Sequence, residues 1–206
     1  MIIWLASYPK SGNTWVRLFL KHYFNFIIIY LSLICISLSN SGGPSGNYAN
    51  NAPSYNNCTQ CHNGAVNSGN GNVSIQGLPS AGYTPGELYS LTVNVTGTNS
   101  RGYGFQMASQ VGNDNAGNFS LGTLSEDAEL NGNRVQHSSR TVSGEWIIDW
   151  LAPSSDVGDI TFSVSGLATG GNSSTGGDNV YTNDLTIPAF IPQTTNLFFS
   201  EYAEGN

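Results

Sequence analysis

Charge is scarce in this chain: only 9% of its 206 residues are Asp, Glu, Lys or Arg. Long surface helices draw heavily on Lys and Glu, so this poverty argues against a helical protein. The six cationic side chains, Lys10, Arg17, Lys21, Arg101, Arg134 and Arg140, are scattered, and the net charge is −7. So few dispersed cations cannot coat a phosphate backbone, which excludes nucleic acid as a partner. Cysteine is scarce too. Of three, Cys35 lies inside an apolar run, leaving Cys58 and Cys61 for chemistry. No Ser, His and Asp follow one another in an order that supports a catalytic triad. What abounds is Gly, 25 residues of it, crowded by Asn, Ser and Thr, a composition suited to short strands joined by polar turns.

Residues 73–188 carry that pattern. Leu88 to Val95 alternates, with Tyr89, Leu91, Val93 and Val95 on one face. Glu145 to Leu151 sets Trp146, Ile148 and Trp150 on one side, as core residues, and Glu145, Ile147 and Asp149 on the other. Gly104–Ser109, Asn118–Leu124, Arg134–Ser138, Ile160–Val164 and Val180–Ile187 are the remaining candidates. Seven or eight short strands separated by turns predict an all-β chain folded as an antiparallel β-sandwich.

Upstream the organisation changes. Residues 21–40 place Lys21 and His22 before an almost wholly apolar run, Phe24 to Leu38, followed by small polar residues. That is the layout of a signal peptide, or of a hydrophobic helical anchor if it is not cleaved. The run is shorter than the roughly 20 residues that span a bilayer comfortably. Membrane contact is therefore expected only through residues 21–38, and the remainder is expected to be secreted, periplasmic or at the cell surface. Residues 41–72 are an irregular linker, and residues 189–206 a second linker leading into the start of another module.

The linker holds the one motif with chemistry in it, Cys58-Thr59-Gln60-Cys61-His62. Two thiols three positions apart can form thioethers to the two vinyl groups of one haem, and the adjacent imidazole then reaches the iron. On that reading Cys58 and Cys61 anchor haem c and His62 is an axial ligand. His137, or less favourably Met107, supplies the other side. A Cys58–Cys61 disulfide and a free or metal-bound dithiol stay open, although structural zinc usually takes four ligands. Glu126, Asp127 and Glu129 could hold calcium, the plainer expectation being a solvated acidic loop.

Three resemblances accompany these readings. Met1 to Leu20, with Tyr8-Pro9-Lys10-Ser11-Gly12-Asn13-Thr14-Trp15, resembles the phosphosulfate-binding loop of sulfotransferases. It implies that Lys10, Ser11, Gly12, Asn13 and Thr14 descend from a site for the nucleotide's 5′-phosphosulfate. Nothing after Leu20 alternates helix and strand as a sulfotransferase must, so the segment reads as a fragment. Residues 42–188, through Tyr89-Ser90-Leu91-Thr92-Val93, Gly104-Phe105-Gln106-Met107, Val135-Gln136-His137-Ser138 and Trp150-Leu151-Ala152-Pro153, resemble the Reeler domain. They look closer still to its bacterial relatives, the choice-of-anchor V domains. The resemblance implies an immunoglobulin-like sandwich preceded by a Cys-x-x-Cys-His segment. Residues 196–205 look like the opening strand of lamin-tail modules. Two functions compete: an exported haem c module for electron transfer or redox sensing with an unidentified redox or surface partner, and a haem-free adhesion or interaction module with a Cys58–Cys61 disulfide.

Overall fold

In a computed structural model of the chain, the alternation read above becomes two antiparallel sheets. The structure describes residues 20, 22–24, 42–98, 100–170 and 176–190. The chain divides into two units, Met1–Asn40 and Ser41–Asn206. In the first, Leu20 and residues 22–24 are helical. The sulfotransferase-like loop with Lys10, Ser11, Gly12, Asn13 and Thr14, most of the apolar run, and residues 196–205 lie outside the described residues. Among the described residues no helix is long and apolar enough to cross a membrane.

The second unit holds ten strands among its described residues: β1 (Asn72–Gln76), β2 (Leu88–Thr96), β3 (Gly102–Val111), β4 (Asp114–Asn115), β5 (Asn118–Ser120), β6 (Ala128–Asn131), β7 (Arg134–His137), β8 (Glu145–Leu151), β9 (Ile160–Thr169) and β10 (Asn179–Ile187). One sheet runs β1-β2-β8-β5. The other runs β10-β9-β3-β7-β6, with β4 paired to β3. The expected strands are all there, with adjusted ends. Asn118–Leu124 shortens to Asn118–Ser120, while the strands around Gly104 and Ile160 lengthen to ten residues each. The acidic stretch expected as a loop is in part a strand, because Glu129 sits in β6 opposite Gln136 of β7.

Register explains the core. Tyr89 pairs with Trp150, Leu91 with Ile148 and Val93 with Trp146, so the apolar positions of β2 and β8 stand side by side. Phe105, Met107, Val135, Ile160, Phe162 and Val164 of the six-stranded sheet share one buried cluster with them. Phe105 packs against Trp146 in a tilted pair at a centroid distance of 4.6 Å, and Phe162 meets Trp150 edge-on at 4.8 Å. Trp150 is fully buried, and its indole N–H finds acceptors at 3.2 Å in Ser109 Oγ and the Ala116 carbonyl. Both tryptophans are core residues, as their spacing predicts.

β3 and β9 depart from the expected half-exposed alternation. Their outward positions, Gly104, Gln106, Ala108, Ser163, Ser165 and Leu167, are buried as well. The irregular segment from residue 42 to 62 lies over this outer face, and it carries the cysteines with it.

Candidate functional site

Backbone without a strand partner must still satisfy its N–H and C=O groups when it is buried. Here side chains of the sheet take the partner's place. The Gln106 amide accepts from Tyr48 N–H and donates to the Gly46 carbonyl at 2.9 Å. It also donates to Gln136 Oε1 at 2.6 Å, and Gln136 donates to Glu129 Oε1 at 2.7 Å. Asn131 reaches the Pro44 carbonyl at 2.9 Å, and Gln110 the Ala52 carbonyl at 3.2 Å. These contacts dock the segment on strands β3, β7 and β6.

The segment then turns once, as a short 3₁₀ helix over Cys58–Gln60. Asn57 caps it, its Oδ1 accepting from Thr59 N–H at 3.0 Å and Thr59 Oγ1 at 2.7 Å. Cys61 N–H and His62 N–H both return to the Cys58 carbonyl, at 3.3 and 2.9 Å. The motif is thus folded on itself. Ser165 of β9 holds it from below, accepting Cys58 N–H at 3.2 Å and donating to Cys58 Sγ at 3.1 Å. Burial pushes the Cys58 thiol up to about 11; the Ser165 hydrogen bond opposes this, and nearby Cys61 adds to it. Cys61 is exposed, and the two cysteines are free thiols in this structure.

His62 and His137 are each held at Nδ1, by different partners. His62 Nδ1 lies 2.7 Å from Asp178 Oδ2, with the imidazole 20% and the carboxylate 4% exposed. His137 Nδ1 lies 3.0 Å from both the amide nitrogen and the carbonyl oxygen of Phe105. The β3–β7 ladder pairs Gln106 with Gln136 and Met107 with Val135, and the His137 ring takes up the next step in place of backbone. Gly104 makes room for it: a Cβ there would stand 2.7 Å from His137 Cε1. Burial depresses His137 below the ordinary histidine range. The Phe105 bond and Glu129 pull it back up, and the charge of His62 lowers it further. Neither Nε2 makes a hydrogen bond among the described residues.

Register places the floor beneath these rings. Leu167 pairs with Gly104 on one side and Val180 on the other, one row from Ser165 and Gln106. Leu167 and Val180 are both buried, so this row is apolar. Met107 is fully buried on the opposite side of β3 from Gln106, in the cluster between the sheets. It packs as core filler there, on the side of β3 turned away from the Cys58–His62 face. The carboxylates weighed for calcium have other partners: Glu129 accepts from Gln136, and Asp127 accepts from Ser139 Oγ at 2.6 Å. Among the described residues no three His, Cys, Asp or Glu side chains stand together as a metal site.

Sequence reasoning missed Asp178, Ser165 and Gln106. Asp178 follows Gly176-Gly177 and reads as a turn residue; Ser165 and Gln106 read as the solvent side of strands. No local signal marks them, since each acquires its role from a segment about 60 to 115 residues upstream.

No protein-family model matches the chain, and no curated protein matches it. Among solved structures, the chain is similar to the human F-spondin reeler domain, at 20% identity over 60% of this chain and 94% of that one, with a TM-score of 0.45. A structure of the Reelin-N domain of F-spondin is similar at 19% identity, covering 62% and 92%, with a TM-score of 0.44. AggA, the major subunit of aggregative adherence fimbriae type I from Escherichia coli, is similar at 11% identity, covering 63% and 99%, with a TM-score of 0.38.

Proposed function

We propose that the chain is an exported haem c module, a Reeler-like sandwich of immunoglobulin type that carries its cofactor on the outer face of the six-stranded sheet for electron transfer or redox sensing at the cell surface. One observation carries this reading. The Nδ1 of His62 is tied to the Asp178 carboxylate, which in the neutral ring leaves Nε2 as the lone-pair nitrogen, and His137 has its Nδ1 engaged by the Phe105 backbone and its Nε2 without a hydrogen bond among the described residues. The donor set also fits: two unpaired thiols one turn apart, and an imidazole directly after them. Bound through Cys58 and Cys61, the haem would supply a one-electron couple. The chain's own residues would hold it. Asn57 and Ser165 hold the turn, His62 and His137 would be the residues offered to the iron, and Leu167, Val180 and Gly104 would form an apolar floor that limits water.

The test is a pyridine haemochrome spectrum on the full chain, expressed with a cytochrome c maturation system. A c-type band that survives acid–acetone extraction supports the reading, and His137→Ala should then convert a low-spin spectrum to a high-spin one. An unaltered low-spin spectrum excludes His137 as a ligand. A colourless product with Cys58 and Cys61 oxidised to each other leaves the haem-free interaction module instead.

A further inference from the structure

We infer that Asp178 is a positioning residue for His62: it fixes which ring nitrogen carries the proton and makes the outward nitrogen a stronger donor than that of His137. The inference rests on the haem reading above for its consequence, but not for its geometry.

Asp178 is buried and held from two sides. Oδ2 accepts from His62 Nδ1 at 2.7 Å, and Oδ1 accepts from Gly170 N–H at 3.1 Å. Its direction is therefore set by β9 and β10, the strands that end and begin beside it. The imidazole is fixed as firmly, since His62 N–H closes onto the Cys58 carbonyl and Cys58 is bound to Ser165. A carboxylate acceptor at 2.7 Å requires a proton on Nδ1, and in the neutral ring Nε2 is then the lone-pair nitrogen.

His137 provides the internal contrast. When its Nε2 is the donor nitrogen, its Nδ1–H is left with the neutral Phe105 carbonyl at 3.0 Å. A carboxylate polarises a ring N–H more strongly than an amide carbonyl does, and charge-assisted hydrogen bonds are shorter and stronger. Such a partner raises the basicity of the ligating nitrogen. A more basic axial nitrogen favours the oxidised iron, so Asp178 should hold the couple at low potential. Among the described residues Asp178 makes the one ion pair with a histidine, which is why a single substitution isolates the effect.

The experiment is the midpoint potential of the full haem-bearing chain, wild type against Asp178→Asn and Asp178→Glu. The Asn variant keeps shape and an acceptor oxygen but removes the charge. It should stabilise the reduced form at least tenfold, an upward shift of about 59 mV for one electron. The Glu variant should recover part of the shift. An Asn variant with the wild-type potential overturns the inference. Should the chain carry no haem, the haem reading fails on its own, and the inference is read from nitrogen–proton NMR of the His62 ring. Wild-type protein should then show the Nδ1–H tautomer and Asp178→Ala a shift toward Nε2–H, whereas Nε2–H in the wild type overturns it.

Discussion

On its inner face the six-stranded sheet presents Phe105, Met107, Phe162 and Val164 to the other sheet; on its outer face the same strands present Gln106, Gln110 and Ser165 to irregular backbone. Burial is similar on both sides and the chemistry is opposite. Between the sheets the favourable term is apolar area withdrawn from water, which is indifferent to direction. Under residues 42–62 the work is done by hydrogen bonds, each of small net value but costly to leave unmade. The inner face therefore sets how stable the sandwich is, and the outer face sets where the Cys58–His62 turn sits.

Substitutions on the two faces should part along that line. Trp150→Ala empties the centre of the core and removes the indole N–H from Ser109 Oγ and the Ala116 carbonyl, which keep their own bond at 2.6 Å. It should cost about 3–5 kcal/mol of unfolding free energy by urea denaturation. A loss under 1 kcal/mol would mean that the inner face is not the main source of stability. Gln106→Leu leaves the Tyr48 N–H and the Gly46 carbonyl without partners and should cost about 2 kcal/mol. Its signature should be local, with proteolysis and amide exchange accelerating in residues 42–62 while the sandwich strands stay protected. Uniform acceleration through β2 and β8 would erase the distinction between the faces.

The smallest effect concerns acid. His137 has its folded-state pKa depressed chiefly by burial, so the unfolded chain binds more protons in the window below the ordinary value of about 6.5. In haem-free protein the contribution of neutral His137 is complete above that pH and is lost as pH falls through it. Wild type should thus lose more stability between pH 7.5 and 5.5 than His137→Gln does, measured as urea midpoints at the two pH values. Equal losses would place the imidazole in solvent.

The inner half of this comparison was legible in the chain. Trp146, Ile148 and Trp150, and Leu91, Val93 and Val95, alternate at period two, and alternation is what a buried sheet face writes into sequence. The outer half was not. Ile160-Thr161-Phe162-Ser163-Val164-Ser165 reads as a strand with one wet face, because serines that bond to backbone and serines that bond to water look the same. Cys58, Cys61 and His62 were visible through their spacing. Asp178 was not, since a carboxylate 116 positions away joins them only through the register of β9 and β10. Met107 shows the complement. Its side chain was weighed for chemistry, whereas its parity with Phe105 on β3 already put it between the sheets.

The docking of residues 42–62 also has a place in time. Its partners come from β3, β6, β9 and Asp178 just before β10, so its contacts close stretches of 60 to 116 positions. Contacts that close long loops form late, after the loops themselves have been ordered. The sulfur of Cys58, turned against Ser165 at the end, is therefore expected to stay open to solvent until the sandwich is complete. That interval is the natural moment for covalent modification, and a chain that folded faster would close it sooner.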